Sequence, residues 1–161
     1  MNKPKLTKHI RHARLVKIAR RSYQELNPGA RLFNNTSGTA WQGLTVSGAK
    51  EVILKNPRII TFGIPGNRDG SGGADLLGWT IKDELPIFTA VECKSGNGRL
   101  MKNQVIFRKI ILNINGIYRV ARECPTCWDD WTPIYKSGKI IEWIPVESCP
   151  HCRGLGYILE E

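Results

Sequence analysis

Residues 74–94 read ADLLGWTIKDELPIFTAVECK and contain two β-rich runs. We predict one strand over residues 74–81 and another over residues 86–94, because both runs are rich in apolar, β-branched and aromatic side chains. A glycine-rich segment precedes the first run and a second one follows the last strand, and such segments commonly bound strands. The polar residues at the strand ends are therefore expected where the sheet leaves its apolar core.

Two acids and a lysine stand at these strand ends. Side chains alternate along a strand, so Glu92 and Lys94 share one face while Cys93 points the other way, into the core. If the two strands are neighbours, Asp75 lies next to Glu92. Carboxylates held together repel each other unless they are protonated or bridged by a cation, and Mg²⁺ is the natural bridge. A lysine beside such a metal can orient water and stabilise a phosphate, although Glu-X-Lys alone also fits a surface ion pair.

The remaining segments predict an α/β sandwich with a mixed sheet. Helices are expected over residues 5–26 and 100–113, further strands over 31–35, 58–62 and 117–121, and loops over 36–50 and 63–73. In the first helix one side is apolar, with Leu15, Ala19, Tyr23 and Leu26, and the opposite side is basic, with Arg14, Lys17, Arg20 and Arg21.

The net charge of +10 is unevenly distributed along the chain. Residues 1–31 carry +8, residues 50–122 carry +6 and residues 123–161 carry −4. A positive field favours a polyanion, most simply nucleic acid, although a generic basic protein has the same charge. The basic side of the first helix is therefore either a solvated face or a face that lies along a phosphate backbone.

Four of the five cysteines form two Cys-X₂-Cys pairs near the C-terminus, and the two pairs are separated by 21 residues. This spacing predicts a tetrahedral Zn²⁺ site made by Cys124, Cys127, Cys149 and Cys152. Two disulfides are the alternative, which a cytosolic protein disfavours. His151 is left out, because four thiolates already fill the site.

Residues 123–161 are predicted to form a separate small module of the zinc-ribbon type, which should unfold when its zinc is removed. Its negative charge disfavours a phosphate-binding surface and favours a structural staple, a dimer contact or a protein-docking face. Trp128, Trp131 and Trp143 are either its core, which we expect, or a stacking platform for unpaired bases.

Residues 10–122 resemble the virus-type replication–repair nuclease (VRR-NUC) branch of the PD-(D/E)XK nuclease superfamily. The order and spacing of several short segments carry the resemblance: residues 33–38, 62–66, 73–79, 91–94, 98–100 with Gln104, and 116–122. The resemblance implies a restriction-endonuclease-like core, a mixed sheet flanked by helices, over residues 1–122. It also implies metal-dependent cleavage of DNA phosphodiesters, often at branched structures.

The resemblance further implies a set of site residues. Mg²⁺ or Mn²⁺ would be bound by Asp75, Glu92 and the backbone carbonyl of Cys93. Lys94 would position the attacking water, and Gln104 would sit beside these residues from the following helix. Arg108 lies one turn further along that helix and is expected to contact phosphate.

One feature departs from the family pattern. Such nucleases often have a glutamate in the first helix that supports the metal site, whereas residues 5–24 contain no acid here. Either Glu25 takes this role from the helix end, or the site lacks that carboxylate.

We therefore expect a Mg²⁺- or Mn²⁺-dependent DNA endonuclease, selective for branched or flapped DNA, in phage-type replication, repair or recombination. A homodimer is expected by resemblance, and a replication or repair protein is a possible partner of the zinc module. The alternatives are a catalytically silent DNA-binding protein and a zinc-ribbon adaptor. No apolar run approaches the roughly 18 residues of a membrane span, and no secretion signal is recognised. The expected location is the cytoplasm, the host cytoplasm if the chain is phage-encoded.

Overall fold

The structure is a computed structural model that describes residues 7–35, 38–45, 54–62, 72–130, 132–136, 139–144 and 149–160. In these parts the chain forms two α-helices, α1 (Lys8–Leu26) and α2 (Lys102–Asn113), and a short 3-10 helix at Trp128–Asp130. It also forms nine strands: β1 (Arg31–Asn34), β2 (Gly38–Thr45), β3 (Leu54–Phe62), β4 (Leu76–Lys82), β5 (Leu85–Lys94), β6 (Ile117–Glu123), β7 (Thr132–Lys136), β8 (Lys139–Ile144) and β9 (Tyr157–Glu160).

Five strands form one mixed sheet in the order β1-β4-β5-β6-β9. The β5–β6 pair is parallel, with α2 as the connection between them, and the other three pairs are antiparallel. A parallel pair requires such a crossover, whereas the antiparallel β4–β5 pair needs only a tight turn. The predicted α/β class with a mixed sheet and flanking helices is confirmed.

Each face of this sheet is covered by one helix. Helix α1 packs Leu15, Ala19 and Tyr23 against one face, whose buried side chains include Leu32, Leu76, Val91, Cys93 and Ala121. Helix α2 packs Phe107 and Ile111 against the other face, which includes Leu77, Ala90, Tyr118 and Val120. The alternation along β4 and β5 thus feeds two separate apolar layers.

Helix α1 differs in three ways from the predicted helix. It begins after Thr7, whose side chain accepts a hydrogen bond from the Ile10 N–H at 3.4 Å. Leu26 was assigned to the apolar side but is 58% exposed at the helix end. Arg14 was assigned to the exposed basic side but is only 6% exposed, because the indole of Trp128 covers its guanidinium.

The predicted loop over residues 36–50 is wrong in its central part. Residues 38–45 form strand β2, which pairs antiparallel with β3. Glycine and threonine suggested a loop, but strand formation depends more on an available partner strand than on intrinsic propensity. The predicted strand over residues 58–62 is correspondingly the end of the longer β3. Residues 63–71 of the second predicted loop lie outside the described residues.

The C-terminal segment contributes to both a hairpin and the main sheet. Strands β7 and β8 pair with each other between the two cysteine pairs, whereas β9 follows the second pair and forms an edge of the five-stranded sheet beside β6. The boundary between residues 122 and 123 stays a prediction, but the segment beyond it shares the main sheet. Within the described residues, neither α-helix is long and apolar enough to cross a membrane.

Candidate metal centres

Asp75 and Glu92 meet at the point where β4 begins and β5 ends. Leu76 pairs with Val91 across the two antiparallel strands, so the same register continued by one residue places Asp75 opposite Glu92. Directly opposed residues have Cβ atoms roughly 5 Å apart. Asp75 and Glu92 are therefore neighbours across the β4–β5 pair, as the sequence predicts.

Asp75 is held by groups from both sides of the strand end. Its Oδ2 accepts a hydrogen bond from the backbone N–H of Cys93 at 2.8 Å, and its Oδ1 lies 3.1 Å from Nε2 of His12 in α1. The hydrogen bond to Asp75 raises the pKa of His12, since the carboxylate favours the charged imidazolium. These contacts fix the carboxylate in one orientation.

Glu92, Lys94 and Gln104 form a compact polar cluster. Lys94 Nζ lies 2.8 Å from Glu92 Oε1 and donates to Gln104 Oε1 at 2.7 Å. Gln104 Nε2 donates to the same Glu92 oxygen at 2.6 Å. Cys93, between the two charged residues, is 1% exposed and lies in the core layer under α1. The predicted alternation of faces along residues 92–94 is confirmed.

The second oxygen of Glu92 is left without a partner in this cluster. Glu92 is 2% exposed, and its Oε2 is buried with no hydrogen-bond partner among the described residues. Burial and the neighbouring charge of Asp75 raise the pKa of Glu92 to about 7, although Lys94 acts in the opposite direction. An unsatisfied buried carboxylate oxygen is costly in an apolar setting and is well suited to a cation. The residues present therefore fit a bound divalent ion.

The raised pKa of Glu92 has a consequence for stability at neutral pH. Between its ordinary value of 4.5 and about 7, folded Glu92 holds a proton that the unfolded chain has released. The Glu92 contribution to the free energy of unfolding therefore falls as pH rises through this window. Without added Mg²⁺ or Mn²⁺, Glu92→Gln should exceed the wild type in stability at pH 8 by up to about 3 kcal/mol.

Urea unfolding of both proteins at pH 4.5 and pH 8, with the zinc left in place, measures this difference. The advantage of the Glu92→Gln variant should be much smaller at pH 4.5, where much of the unfolded-state carboxyl is also protonated. Equal stability of the two proteins at pH 8 would show that Glu92 titrates normally.

Glu25 does not take part in this site. Its side chain is 61% exposed and pairs with Arg21 at 2.9 Å. The residue of α1 that contacts Asp75 is His12, which the sequence reasoning missed. A signal was available, because His12 precedes Leu15 and Ala19 at helical spacing on the buried side of the helix.

The predicted DNA-binding residues lie in different environments. Arg14 is buried against Trp128 and is not available to a phosphate, so its assignment to the basic face is corrected. Lys17 and Arg21 are exposed, and Arg20 is partly buried and donates to Asn34 at 3.2 Å. Arg108 is partly buried on α2, one turn after Gln104.

The second candidate centre is formed by four buried cysteines. Their Sγ atoms all lie within 4.8 Å of one another; Cys124 and Cys149 are 3.8 Å apart, and Cys127 and Cys152 are 3.4 Å apart. A tetrahedron of Zn–S bonds of about 2.3 Å has edges of about 3.8 Å. All five cysteines are free, so the two disulfides of the alternative are not formed in this structure.

Backbone groups of the second cysteine pair support thiolate ligands. The Gly156 N–H donates to Cys152 Sγ at 3.2 Å. Hydrogen bonds from the backbone of Cys152 and His151 lower the pKa of the Cys149 thiol to about 7, whereas burial raises the pKa of the Cys127 and Cys152 thiols. His151 itself is exposed, as expected for a residue outside the ligand set. The four cysteines can therefore hold a metal ion such as zinc.

The two centres differ in how completely the protein surrounds an ion. Among the described residues, the cysteine cluster is the one group of three or more histidine, cysteine or acidic side chains whose ligand atoms converge. The Asp75–Glu92 pair offers two carboxylates, which is what Mg²⁺ usually takes while it keeps several waters.

Comparisons with protein-family models, with curated proteins and with solved structures found no match for this chain.

Proposed function

We propose that this protein is a Mg²⁺- or Mn²⁺-dependent DNA endonuclease, with Asp75, Glu92 and Lys94 at its centre. One observation carries the proposal: the buried Glu92 Oε2 has no hydrogen-bond partner among the described residues and stands beside a second carboxylate and an ordered lysine. Most buried polar atoms in structural ion pairs are hydrogen-bonded, since a buried unsatisfied acceptor is costly, so the open Glu92 oxygen favours a ligand role.

The residues of this centre would have different roles in phosphodiester hydrolysis. Asp75 and Glu92 would hold the divalent ion, with the Cys93 carbonyl that the resemblance adds, and the ion would supply an activated water and charge for the phosphate. Lys94, only 13% exposed, is held by Glu92 and Gln104, so its ammonium can orient water or stabilise the phosphate without first becoming ordered. His12 is the residue of α1 that contacts Asp75. In this protein it would support the metal site from the helix that carries a glutamate in the family pattern.

The test is an incubation of the purified protein with Mg²⁺ or Mn²⁺ and labelled DNA. The panel contains linear duplex, flap, loop and four-way junction substrates of the same sequence. We expect cleavage that depends on the added ion, with a preference for the branched substrates. Specific DNA binding without cleavage at any pH or metal concentration would favour a silent DNA-binding protein instead.

The exposed part of α1 is the proposed DNA contact. Lys17 and Arg21 remain exposed there, whereas Arg14 is covered by Trp128. Each cation that neutralises a phosphate releases counterions, so affinity falls steeply with salt. Replacing Lys17, Arg20 and Arg21 with glutamine should weaken binding and flatten the salt slope by roughly one unit per lost contact.

Arg153→Gln is the control for the other end of the chain, since it removes one positive charge beside the cysteine cluster. Binding to a fixed duplex is measured over a salt series with Ca²⁺ in place of Mg²⁺. If the salt dependence of affinity is unchanged in the triple variant but reduced in Arg153→Gln, the DNA contact lies on the cysteine segment and not on α1.

For the cysteine cluster we propose a structural zinc ion. Glu123 and Asp129 of this acidic segment pair with Arg11 of α1, so part of the segment's charge is used within the molecule. The outer surface of the cysteine segment is proposed to contact a second copy of the chain or a replication or repair protein. The molecular mass measured in solution shows whether the protein is a dimer.

A further inference from the structure

A buried carboxylate outside the carboxylate site joins three parts of the molecule. Glu123 is the last residue of β6 and directly precedes Cys124, and its side chain is 4% exposed. It accepts hydrogen bonds from Arg11 Nε at 3.1 Å and Nη2 at 2.7 Å, and from the Gly96 N–H at 2.8 Å. A bidentate arginine and a backbone N–H together fix such a carboxylate in position.

The arginine side of this contact ties α1 to the first cysteine pair. Arg11, the neighbour of His12, also donates from Nη1 to Asp129 at 2.8 Å. One turn later, Arg14 lies 4.1 Å from the centre of the Trp128 ring and donates to the Trp128 carbonyl at 3.0 Å. The first half of α1, which carries His12, is therefore held by the segment that follows Cys127.

The glycine side of the contact holds the end of β5. Gly96 lies in the turn directly after Lys94 and has a φ of 55°, a conformation that favours glycine. Arg122, adjacent to Glu123, donates to the Gly98 carbonyl of the same turn. The last two residues of β6 thus fix the turn that follows Lys94.

We propose that Glu123 is a positioning residue that couples the cysteine cluster to the carboxylate site. It holds His12 against Asp75 through Arg11, and Lys94 against Glu92 through Gly96. The inference rests on the proposed nuclease function for its kinetic consequence, but the coupling itself is a property of the fold. Glutamine at position 123 would turn an N–H₂ group toward at least one of the present donors, so the contact would be lost without a large change in volume.

The test compares Glu123→Gln with Asp129→Asn, because both residues bond Arg11 but only Glu123 is buried and reaches Gly96. We expect Glu123→Gln to keep its zinc and its fold. Its kcat should fall roughly tenfold or more, as for other residues that orient metal ligands, with KM changed by less than about twofold. In Glu123→Gln the NMR resonances of the Cys93 amide and of the His12 ring should shift, because both groups bond Asp75. Asp129→Asn should leave kcat and these resonances unchanged, because the Asp129 side chain is 78% exposed and an exposed ion pair contributes little to holding Arg11 in place.

The coupling is overturned if Glu123→Gln is folded, holds zinc and keeps wild-type kcat and wild-type Cys93 and His12 resonances. Should this variant fail to fold, Arg11→Lys keeps the charge but removes the bidentate contact, and wild-type behaviour of that variant overturns the proposal equally. If the wild type cleaves no DNA, the proposed function fails on its own. The shift of the two resonances in Glu123→Gln then still decides the coupling.

Discussion

Conservative replacement of Asp75, Glu92 or Lys94 should remove metal-dependent DNA cleavage while the fold and DNA binding persist. The variants Asp75→Asn, Glu92→Gln and Lys94→Met keep side-chain volume and remove one charge each. Loss of one pre-organised electrostatic group costs about 10²–10³-fold in rate, and loss of a metal-binding carboxylate should cost at least as much. Lys94 belongs to this set because its ammonium is already fixed by Glu92 and Gln104.

Glu25→Gln is the matched control for these variants. It also removes one carboxylate, but Glu25 is exposed at the end of α1 and pairs with Arg21. Its kcat should equal that of the wild type, because Glu25 lies away from Asp75 and Glu92. Circular dichroism and DNA binding in Ca²⁺ confirm that the inactive variants are folded. Full activity of Lys94→Met, or cleavage that continues without divalent ions, would refute the proposed mechanism.

Loss of the zinc site should produce the second large effect. Cys149→Ser should lower the zinc content from one ion per chain to none, and should reduce the free energy of unfolding by several kcal/mol. Structural zinc supplies about 10–16 kcal/mol of apparent binding energy in small modules, whereas a whole domain is stable by about 5–15 kcal/mol. Several kcal/mol corresponds to a Tm about 10 °C lower in a chain of this size.

The structure indicates that zinc loss destabilises more of the chain than the sequence predicts. The sequence predicts unfolding mainly of residues 123–161. Trp128 and Tyr157, however, belong to the same apolar cluster as Leu15 and Ala19 of α1, and β9 is an edge of the main sheet. We therefore expect the wild type and Cys149→Ser each to unfold in one transition that includes α1.

Cys93→Ala provides the control for cysteine chemistry, because Cys93 is also a buried free thiol but lies under α1, outside the cluster. It should keep one zinc per chain and lose far less stability than Cys149→Ser. Metal analysis and thermal unfolding followed by circular dichroism give both quantities. A Cys149→Ser protein that retains one zinc ion and the wild-type Tm would contradict the assignment of the cluster.

The features that were predictable depend on short-range spacing. The alternation along residues 92–94 places Glu92 and Lys94 on one face because successive strand residues always point to opposite faces. Each Cys-X₂-Cys pair brings its own two thiols together because it forms a local turn, whereas the contacts between the two pairs depend on the fold. The α/β class with a mixed sheet follows from the order of its periodic segments in the same way.

The sequence by itself thus determined both helices, strands β1, β4, β5 and β6, the end of β3, the Glu92–Lys94 face and the four cysteines that converge. Only the tertiary structure decided that His12, rather than Glu25, reaches Asp75, that Arg14 packs on Trp128, and that β9 completes the main sheet. Helical spacing fixes which residues share a side, but the angle at which that side meets the sheet depends on packing between residues more than 60 positions apart. A cation on an amphipathic helix is expected in solvent, unless a distant aromatic ring and carbonyl compensate the loss of its hydration, and no local pattern records that compensation.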